Sequence, residues 1–388
     1  MKKTTDPIRR RLKSHYTNSG GIFELSEADC LGRFKDLVGD HRFNRMERLR
    51  RKHKTTDVYR TLKTLDEWNA LFNLQIAVTF ETSLWLDACI RNVARPNQVI
   101  LDLGCGSGIF TRWLAGQHRS CHVTGVDALP NLVKIARQSS TAKNLDFKRW
   151  DYTGPMPNGI PAANHLICSL GIDFAIEQDS IPIDHQPLRS GAAYAKRKLE
   201  IQTILQNWRQ AAADDANLFV VLRIPDATRF LAAVDAAAEA GWQWQHQRLT
   251  FVQVGAESFP ALTFVAAQPQ AAPYSEHELL LHWDKRNFAA RFGSPITGEL
   301  ARLLYSALAN REMHVDEKRT DFMQGLVHTS IGTSGAFAFH YHHTTNGRAQ
   351  LRLAPASELG DIIAQYQEDA DAEHTEFMWL QTGGFAEY

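Results

Sequence analysis

NQVILDLGCGSGIFTRWLA, residues 97–115, passes from a short apolar run through a glycine-rich turn into an amphipathic stretch. The run 97–104 is nearly continuous in Val, Ile and Leu, the pattern of a strand buried on both faces in a parallel sheet. A helix is predicted over about 108–117. Glycines at 104, 106 and 108 stand at i, i+2 and i+4. The dinucleotide fingerprint instead puts its third glycine three residues after its second. Glycine is needed where the chain turns tightly and meets a ligand with no Cβ in the way. No Lys-Ser/Thr pair follows, which excludes a triphosphate cradle. In open parallel sheets ligands bind beyond the carboxyl ends of the strands, where this turn lies.

Strand and helix patterns alternate downstream. HVTGVD (122–127) reads as a second strand and LPNLVKIARQSS as a helix. NLDFKRW (144–150) is a third strand and ANHLICSLGIDF (163–174) a fourth, followed by a loop and a helix near 194–213. NLFVVLRI (217–224) is a fifth strand, and DATRFLAAVDAAAEAG a helix stopped by Gly241. WQHQRLTFVQV and ALTFVAAQ read as two successive strands. Alternation of this kind predicts a parallel sheet covered on both faces, with an antiparallel hairpin at its end. Upstream, residues 56–94 carry a helical apolar stripe: Leu71, Leu74 and Val78, then Leu84, Trp85, Ala88 and Cys89.

Asp127 closes the second strand about 20 residues after the glycines. A carboxylate there can accept hydrogen bonds from both hydroxyls of a ribose. Asp102, at the start of the turn, can fix the loop through backbone N–H groups or meet a cationic group on a ligand. With these residues in place, LDLGCGSGIFTRWLA followed by VTGVDALPNLVKIAR resembles the class I, Rossmann-like S-adenosylmethionine-dependent methyltransferases. The resemblance covers roughly residues 70–268. It implies an α/β fold with a seven-stranded, mostly parallel sheet, helices on both faces and a reversed final hairpin, and S-adenosyl-L-methionine as cofactor. By the same resemblance Asp102, Gly104, Cys105, Gly106 and Gly108 would contact the methionine portion. Asp127, with Ala128 beside it, would hold the ribose. Asp151 would meet the adenine amino group, Trp150 and Tyr152 would pack on the adenine, and Ser169 and Leu170 would line the pocket.

The acceptor side is less legible. The region after the fourth strand lacks the NPPY- or DPPY-like string of methyltransferases acting on amino groups of bases and glutamine amides. It also lacks a Pro-Cys nucleophile. Its polar candidates for catalysis are Asp173, Asp184, His185 and Tyr194. The adjacent Asp184 and His185 could orient a base or bind a metal, or simply sit on a surface loop. His340 and His342 share a strand face in AFAFHYHHTTNGRAQLRLA, a hairpin turning at Asn346-Gly347, but no third ligand accompanies them. No metal site is assigned.

The rest of the chain bounds these readings. Of 388 residues, 43 are Lys or Arg and 43 Asp or Glu, so no global field favours a polyanion. The balance hides an asymmetry. Residues 41–54 set seven Arg/Lys against one Glu, whereas 368–376 is acidic. That basic segment could contact phosphates, pair with the acidic stretch, or form a solvated helix face. Five cysteines without a CxxC pair argue for reduced thiols and a cytoplasmic protein. The basic N-terminus has no apolar core of a secretory signal, and no run of about 18 apolar residues predicts a membrane span. Three regions are expected: a basic, partly mobile helical arm at 1–54, a methyltransferase domain with N-terminal lid helices at 55–268, and an α+β accessory domain at 272–388. The last includes a predicted helix at 295–309, capped by Ser294. Methyl transfer to a small molecule, such as a natural product, is the expected function. An RNA- or protein-modifying enzyme docking through the arm, and a non-catalytic cofactor-binding scaffold, are the alternatives. No oligomeric state is assigned.

Overall fold

The computed structural model describes residues 6–51, 55–171, 192–223, 227–245, 250–254, 257–271, 273–274, 296–297, 301, 305, 313–322, 325–334, 337–344, 349–360 and 363–364. These fall into two compact units, one within Met1–Ser180 and Ala193–Pro273, the other within Ile181–Ala192 and Tyr274–Tyr388.

The first unit is a mixed α/β structure. Its strands are β1 (Val99–Leu103), β2 (His122–Asp127), β3 (Leu145–Arg149), β4 (Ala163–Ser169), β5 (Ala212–Val221), β6 (Trp242–Trp244), β7 (Thr250–Val254) and β8 (Glu257–Ala266). They lie in the order β3-β2-β1-β4-β5-β8-β6. The first five are parallel, and β8 runs antiparallel to β5, β6 and β7. Four of the five β1 residues are buried, as a central strand with both faces covered requires.

The final hairpin differs from the two strands predicted. Ala261 pairs with Val221 of β5 on one side and with Thr250 of β7 on the other. Both β6 and β7 therefore lie on the outer side of β8, one beside each end of it. The outermost position of the seven is thus filled by two short strands.

Helices α1 (Pro7–Asn18), α2 (Glu27–Val38), α3 (Asp40–Arg51), α4 (Thr55–Arg60), α5 (Leu65–Asn73) and α6 (Ile76–Val93) precede the sheet, followed by α7 (Ile109–Gln117), α8 (Pro130–Gln138), α9 (Ala192–Gln210) and α10 (Ala227–Glu239). α6 packs on β4, β5 and β7, α7 on β2, and α8 on β2 and β3. The early helices bury narrow stripes. Leu12 and Tyr16 of α1 join the main core, and Phe34 and Val38 of α2 pack with Met46, Val58 and Leu62. Stripes this narrow are swamped by the surrounding Lys and Arg, which is why the sequence shows little periodicity here.

In the second unit, β9 (Ile296–Thr297), β10 (Met313–Phe322), β11 (Gly325–Ser334), β12 (Phe337–Thr344) and β13 (Ala349–Pro355) form an antiparallel sheet in the order β10-β11-β12-β13-β9. The predicted hairpin at 337–355 is present. Ile296 and Thr297, predicted to open a helix, instead pair with Leu351 and Gln350. Two β-branched residues beside an unpaired strand edge satisfy their backbone groups by extending the sheet. The acidic stretch 368–376 lies outside the described residues.

Candidate functional site

The glycine turn sits where the strand order reverses. β2 and β3 lie on one side of β1, and β4 and β5 on the other. That switch point opens a crevice beyond the carboxyl ends of β1 and β4. Gly104, Gly106 and Gly108 all have left-handed backbones, at φ 77°, 58° and 75°. The turn is tied to the neighbouring strand, because the N–H groups of Gly104 and Cys105 both donate to the Val126 carbonyl at 2.9 Å.

The three glycines answer to different neighbours. A Cβ on Gly104 would lie 3.3 Å from the Tyr152 hydroxyl, and one on Gly106 would lie 3.1 Å from the Trp68 ring. Both positions border a cavity of about 590 Å³. Gly108 does not line that cavity. Its Cβ would run into the Phe147 ring at 2.5 Å and Ala136 at 3.1 Å, so its glycine serves the packing of α7 against β3 and α8.

Asp127 is buried and its carboxylate is half used by its own backbone. Oδ2 accepts from Gly106 N at 3.0 Å and Oδ1 from Leu129 N at 2.9 Å. Each oxygen keeps a further lone pair for a ligand. Burial raises its pKa above the ordinary carboxylate value, while these two backbone bonds pull it back. Asp102 is also buried, and Thr111 Oγ1 donates to its Oδ2 at 2.6 Å. Loss of hydration pushes its carboxyl up to about 7 against that hydrogen bond.

The structure brings most of the residues predicted for the cofactor to one cavity: Asp102, Gly104, Cys105, Gly106, Asp127, Ala128, Asp151, Tyr152, Ser169 and Leu170 all line it. Asp151 is exposed and holds a local turn, accepting from the Thr153 hydroxyl at 2.7 Å. Tyr152 is pinned below Gly104 through its hydroxyl, which donates to Gly171 O at 3.0 Å, and through its carbonyl, which accepts from Trp208 Nε1 at 3.1 Å. Ser169 is held by Thr82 of α6 across 2.9 Å between their hydroxyls. Leu170 is buried with φ 59°, an uncommon conformation for a residue with a branched side chain, and such outliers gather at functional sites.

Besides Gly108, two predicted residues lie elsewhere. Trp150 is core, its indole N–H shared between the carbonyls of Gly154 and Pro155. Tyr194 does not line the cavity, and its hydroxyl donates to the buried Asp235 at 2.6 Å. Asp173, Asp184 and His185 lie outside the described residues. Among the described residues no group of three metal-ligating side chains comes together. His340 is buried on β12, and the His342 side chain is not described.

Lid helices were expected, but sequence reasoning named none of their residues as facing the site. Tyr16 of α1, Asp57, Tyr59 and Arg60 of α4, Trp68, Leu71 and Phe72 of α5, Gln75, and Thr79 and Ser83 of α6 line the same cavity. No local signal marks them, since each reaches the crevice only through helix packing. The Tyr16 hydroxyl bonds that of Ser83 at 2.7 Å, and burial raises its pKa strongly. Arg42, from the basic segment, is committed to Glu67 through two contacts of 2.7 and 3.0 Å.

Residues 100–178 match the family described as "Methyltransferase domain". The chain carries a methyltransferase domain of the class I, Rossmann-like, S-adenosylmethionine-dependent kind. Over 78 residues the chain is 38% identical to a ribosomal protein L11 methyltransferase of Burkholderia thailandensis, covering 20% of this chain and 23% of that one. A further match, 40% over 52 residues, is to a ubiquinone biosynthesis O-methyltransferase of Xylella fastidiosa, covering 13% and 20%. The chain thus spans less than a quarter of the length of these curated relatives. Among solved structures, a TehB-like SAM-dependent methyltransferase from Corynebacterium glutamicum is 17% identical, with 48% of this chain and 87% of that one covered and a TM-score of 0.33.

The cavity suits the cofactor of this domain class. S-adenosylmethionine needs a carboxylate with free lone pairs for its ribose, a bare turn against its chain, and surroundings that tolerate a sulfonium cation. Asp127 meets the first requirement and the cradle over Gly104 and Gly106 the second. For the third, Asp57, Asp102, Asp127 and Asp151 line the space against one described guanidinium, Arg60, which is itself paired with Asp57 at 2.8 Å. No described helix of the chain is long and apolar enough to cross a membrane.

Proposed function

We propose that the chain moves the methyl group of S-adenosyl-L-methionine to a small-molecule acceptor bound between the sheet rim and the N-terminal helices. The observation that carries this reading is the two-sided cavity, with a floor from the ends of β1, β2 and β4 and a roof from α1, α4, α5 and α6. A space of about 590 Å³ falls in the range of small-molecule pockets.

When bound, the cofactor supplies an electrophilic methyl group on a positively charged sulfur. The chain's contribution is then placement and charge. Asp127 holds the ribose, Asp151 and Tyr152 border the adenine, and Asp102 faces the cationic amino-acid end, with Thr111 fixing its rotamer. Transfer needs the acceptor atom in line with the carbon–sulfur bond at roughly 3–3.5 Å. The Thr82–Ser169 bond fastens α6 to the end of β4, and so sets the separation of roof and floor where the acceptor enters. A chamber lined by carboxylates disfavours a phosphodiester acceptor, which supports the small-molecule reading over RNA. The five cysteines, none of them in a disulfide, support a reducing, cytoplasmic setting.

Exposed Arg45 and Arg48 on α3 favour the second reading, an RNA or protein acceptor docked through this helix. Two measurements decide. Calorimetry with S-adenosylhomocysteine should show micromolar binding that weakens at least about tenfold in Asp127→Asn, as for loss of a charge-assisted hydrogen bond. Equal binding would remove Asp127 from the site. Incubation of a cell extract with methyl-labelled cofactor should then place label in the low-mass fraction. Label in RNA or protein that falls with salt overturns the small-molecule acceptor, and no transfer to any fraction points to a cofactor-binding scaffold.

A further inference from the structure

Trp68 stands over the glycine turn without being accounted for by packing alone. Its ring lies 3.1 Å from where a Gly106 Cβ would sit, and 5.5 Å from the Tyr59 ring between centroids. Its indole Nε1 is buried and has no hydrogen-bond partner among the described residues. Of the side-chain polar atoms in that condition, it is the one whose residue lines the cavity. Buried donors are nearly always satisfied, so a partnerless one on a residue that lines a ligand cavity asks for an acceptor from the ligand.

The residue is also held in place before any ligand arrives. Thr64 caps α5 by accepting from Glu67 N at 3.1 Å, and Glu67 in turn accepts from Lys63 N at 2.6 Å and from both guanidinium arms of Arg42. Arg42 donates as well to Thr61 O at 2.6 Å, and Asn131 of α8 donates to Leu62 O at 3.0 Å. The start of α5 is therefore clamped to α3 and α8, and Trp68 rides on its first turn.

Building on the cofactor reading above, we propose that Trp68 is a cofactor-binding residue whose indole N–H donates to the carboxylate of the methionine portion of S-adenosylmethionine. An N–H donor can serve only the ligand's acceptors. The ribose hydroxyls are taken by Asp127, and the adenine lies toward Asp151 and Tyr152. The carboxylate remains, and it is the one anionic group of a ligand placed among four aspartates with a single described cation, Arg60, already paired. A neutral donor over Gly106 fills that need without adding charge beside the sulfonium. The clamp by Arg42 thereby gives the basic segment a role in the site through α5.

The test is calorimetry with S-adenosylhomocysteine and with methylthioadenosine, which lacks the amino-acid end, on wild type and Trp68→Phe. Phenylalanine keeps a ring over Gly106 and removes the donor. S-adenosylhomocysteine binding should weaken roughly 10- to 100-fold in the variant while methylthioadenosine binding stays within about twofold. Unchanged S-adenosylhomocysteine binding, or an equal loss for both ligands, overturns the carboxylate contact. Failure of the wild type to bind either ligand sinks the cofactor reading itself. Should the variant not fold, the wild type is titrated with the carboxamide of S-adenosylhomocysteine. Binding at least about tenfold weaker is expected, and equal binding overturns the proposal.

Discussion

Replacing Gly108 by alanine should destabilise the first unit by about 2–5 kcal/mol, and most of that penalty should trace to a single ring. The new Cβ would lie 2.5 and 2.6 Å from Phe147 Cζ and Cε1 and 3.1 Å from the Ala136 methyl, where carbon atoms prefer roughly 3.5–4.0 Å. Phe147 cannot swing away. Its ring is fully buried, and the adjoining Cδ1–Cε1 edge rests on Gly125, whose own Cβ would lie 2.7 Å from it. Overpacking of this kind costs about 1–3 kcal/mol. The backbone adds about 1–2 kcal/mol, because φ is 75° and alanine disfavours the left-handed region. The two contributions separate in a double-mutant cycle with Phe147→Leu. Alanine at 108 should then cost only its backbone share, about 1–2 kcal/mol, since the ring edge is gone. Urea unfolding followed by tryptophan emission, without ligand, measures each corner. A wild-type cost below about 0.5 kcal/mol would refute the packing argument, and so would an equal cost in both backgrounds.

Gly106→Ala should behave in the opposite way, losing only about 1 kcal/mol of stability at φ 58° but at least tenfold in S-adenosylhomocysteine affinity, because its methyl faces Trp68 and the cavity. Equal affinity would place the ligand elsewhere. Asp102 has its carboxyl raised to about 7 by burial, so the ligand-free fold keeps this group's full stability only below the unfolded value of about 3.9 and loses it as pH rises through 7. Asp102→Asn should therefore gain on the wild type between pH 5 and 8 in urea midpoints, and parallel profiles would refute this. Asp87 is fully buried on α6 and accepts from Trp113 Nε1 at 2.9 Å and Arg91 Nε at 2.7 Å. Asp87→Ala should cost about 2–3 kcal/mol, chiefly by orphaning the indole N–H, since Arg91 is partly solvated. A loss under about 0.5 kcal/mol in the same unfolding assay would show that water replaces it.

Much of the first unit was legible in the chain. Strands β1, β4 and the end of β5 are short apolar runs, β2 and β3 mix apolar with polar residues, and each helix between strands shows its own period, so local pattern marks β1 to β5 along the chain. The glycine turn was readable because only glycine tolerates three left-handed residues in five positions, and Asp127 because it ends the next strand. Trp150 was misplaced for the converse reason. Sequence shows which strand end a residue occupies but not which way its ring turns, and the Gly154 and Pro155 carbonyls draw this one inward. Tyr194 likewise satisfies Asp235 of α10, a pairing 41 residues distant that no spacing rule contains.

Sequence by itself determined the strand–turn–helix that borders the cavity, since backbone freedom and burial period are properties of residue type along the chain. Tertiary structure alone decided what faces that turn. Tyr16, Trp68 and Ser83 reach the cavity because narrow apolar stripes pack α1 on α6 and α7, α5 on α2, and α6 on the sheet. It also decided that Gly108 answers to Phe147 while Gly106 answers to Trp68. Packing joins side chains that are far apart in the chain, and its energy depends on contacts that no local pattern encodes.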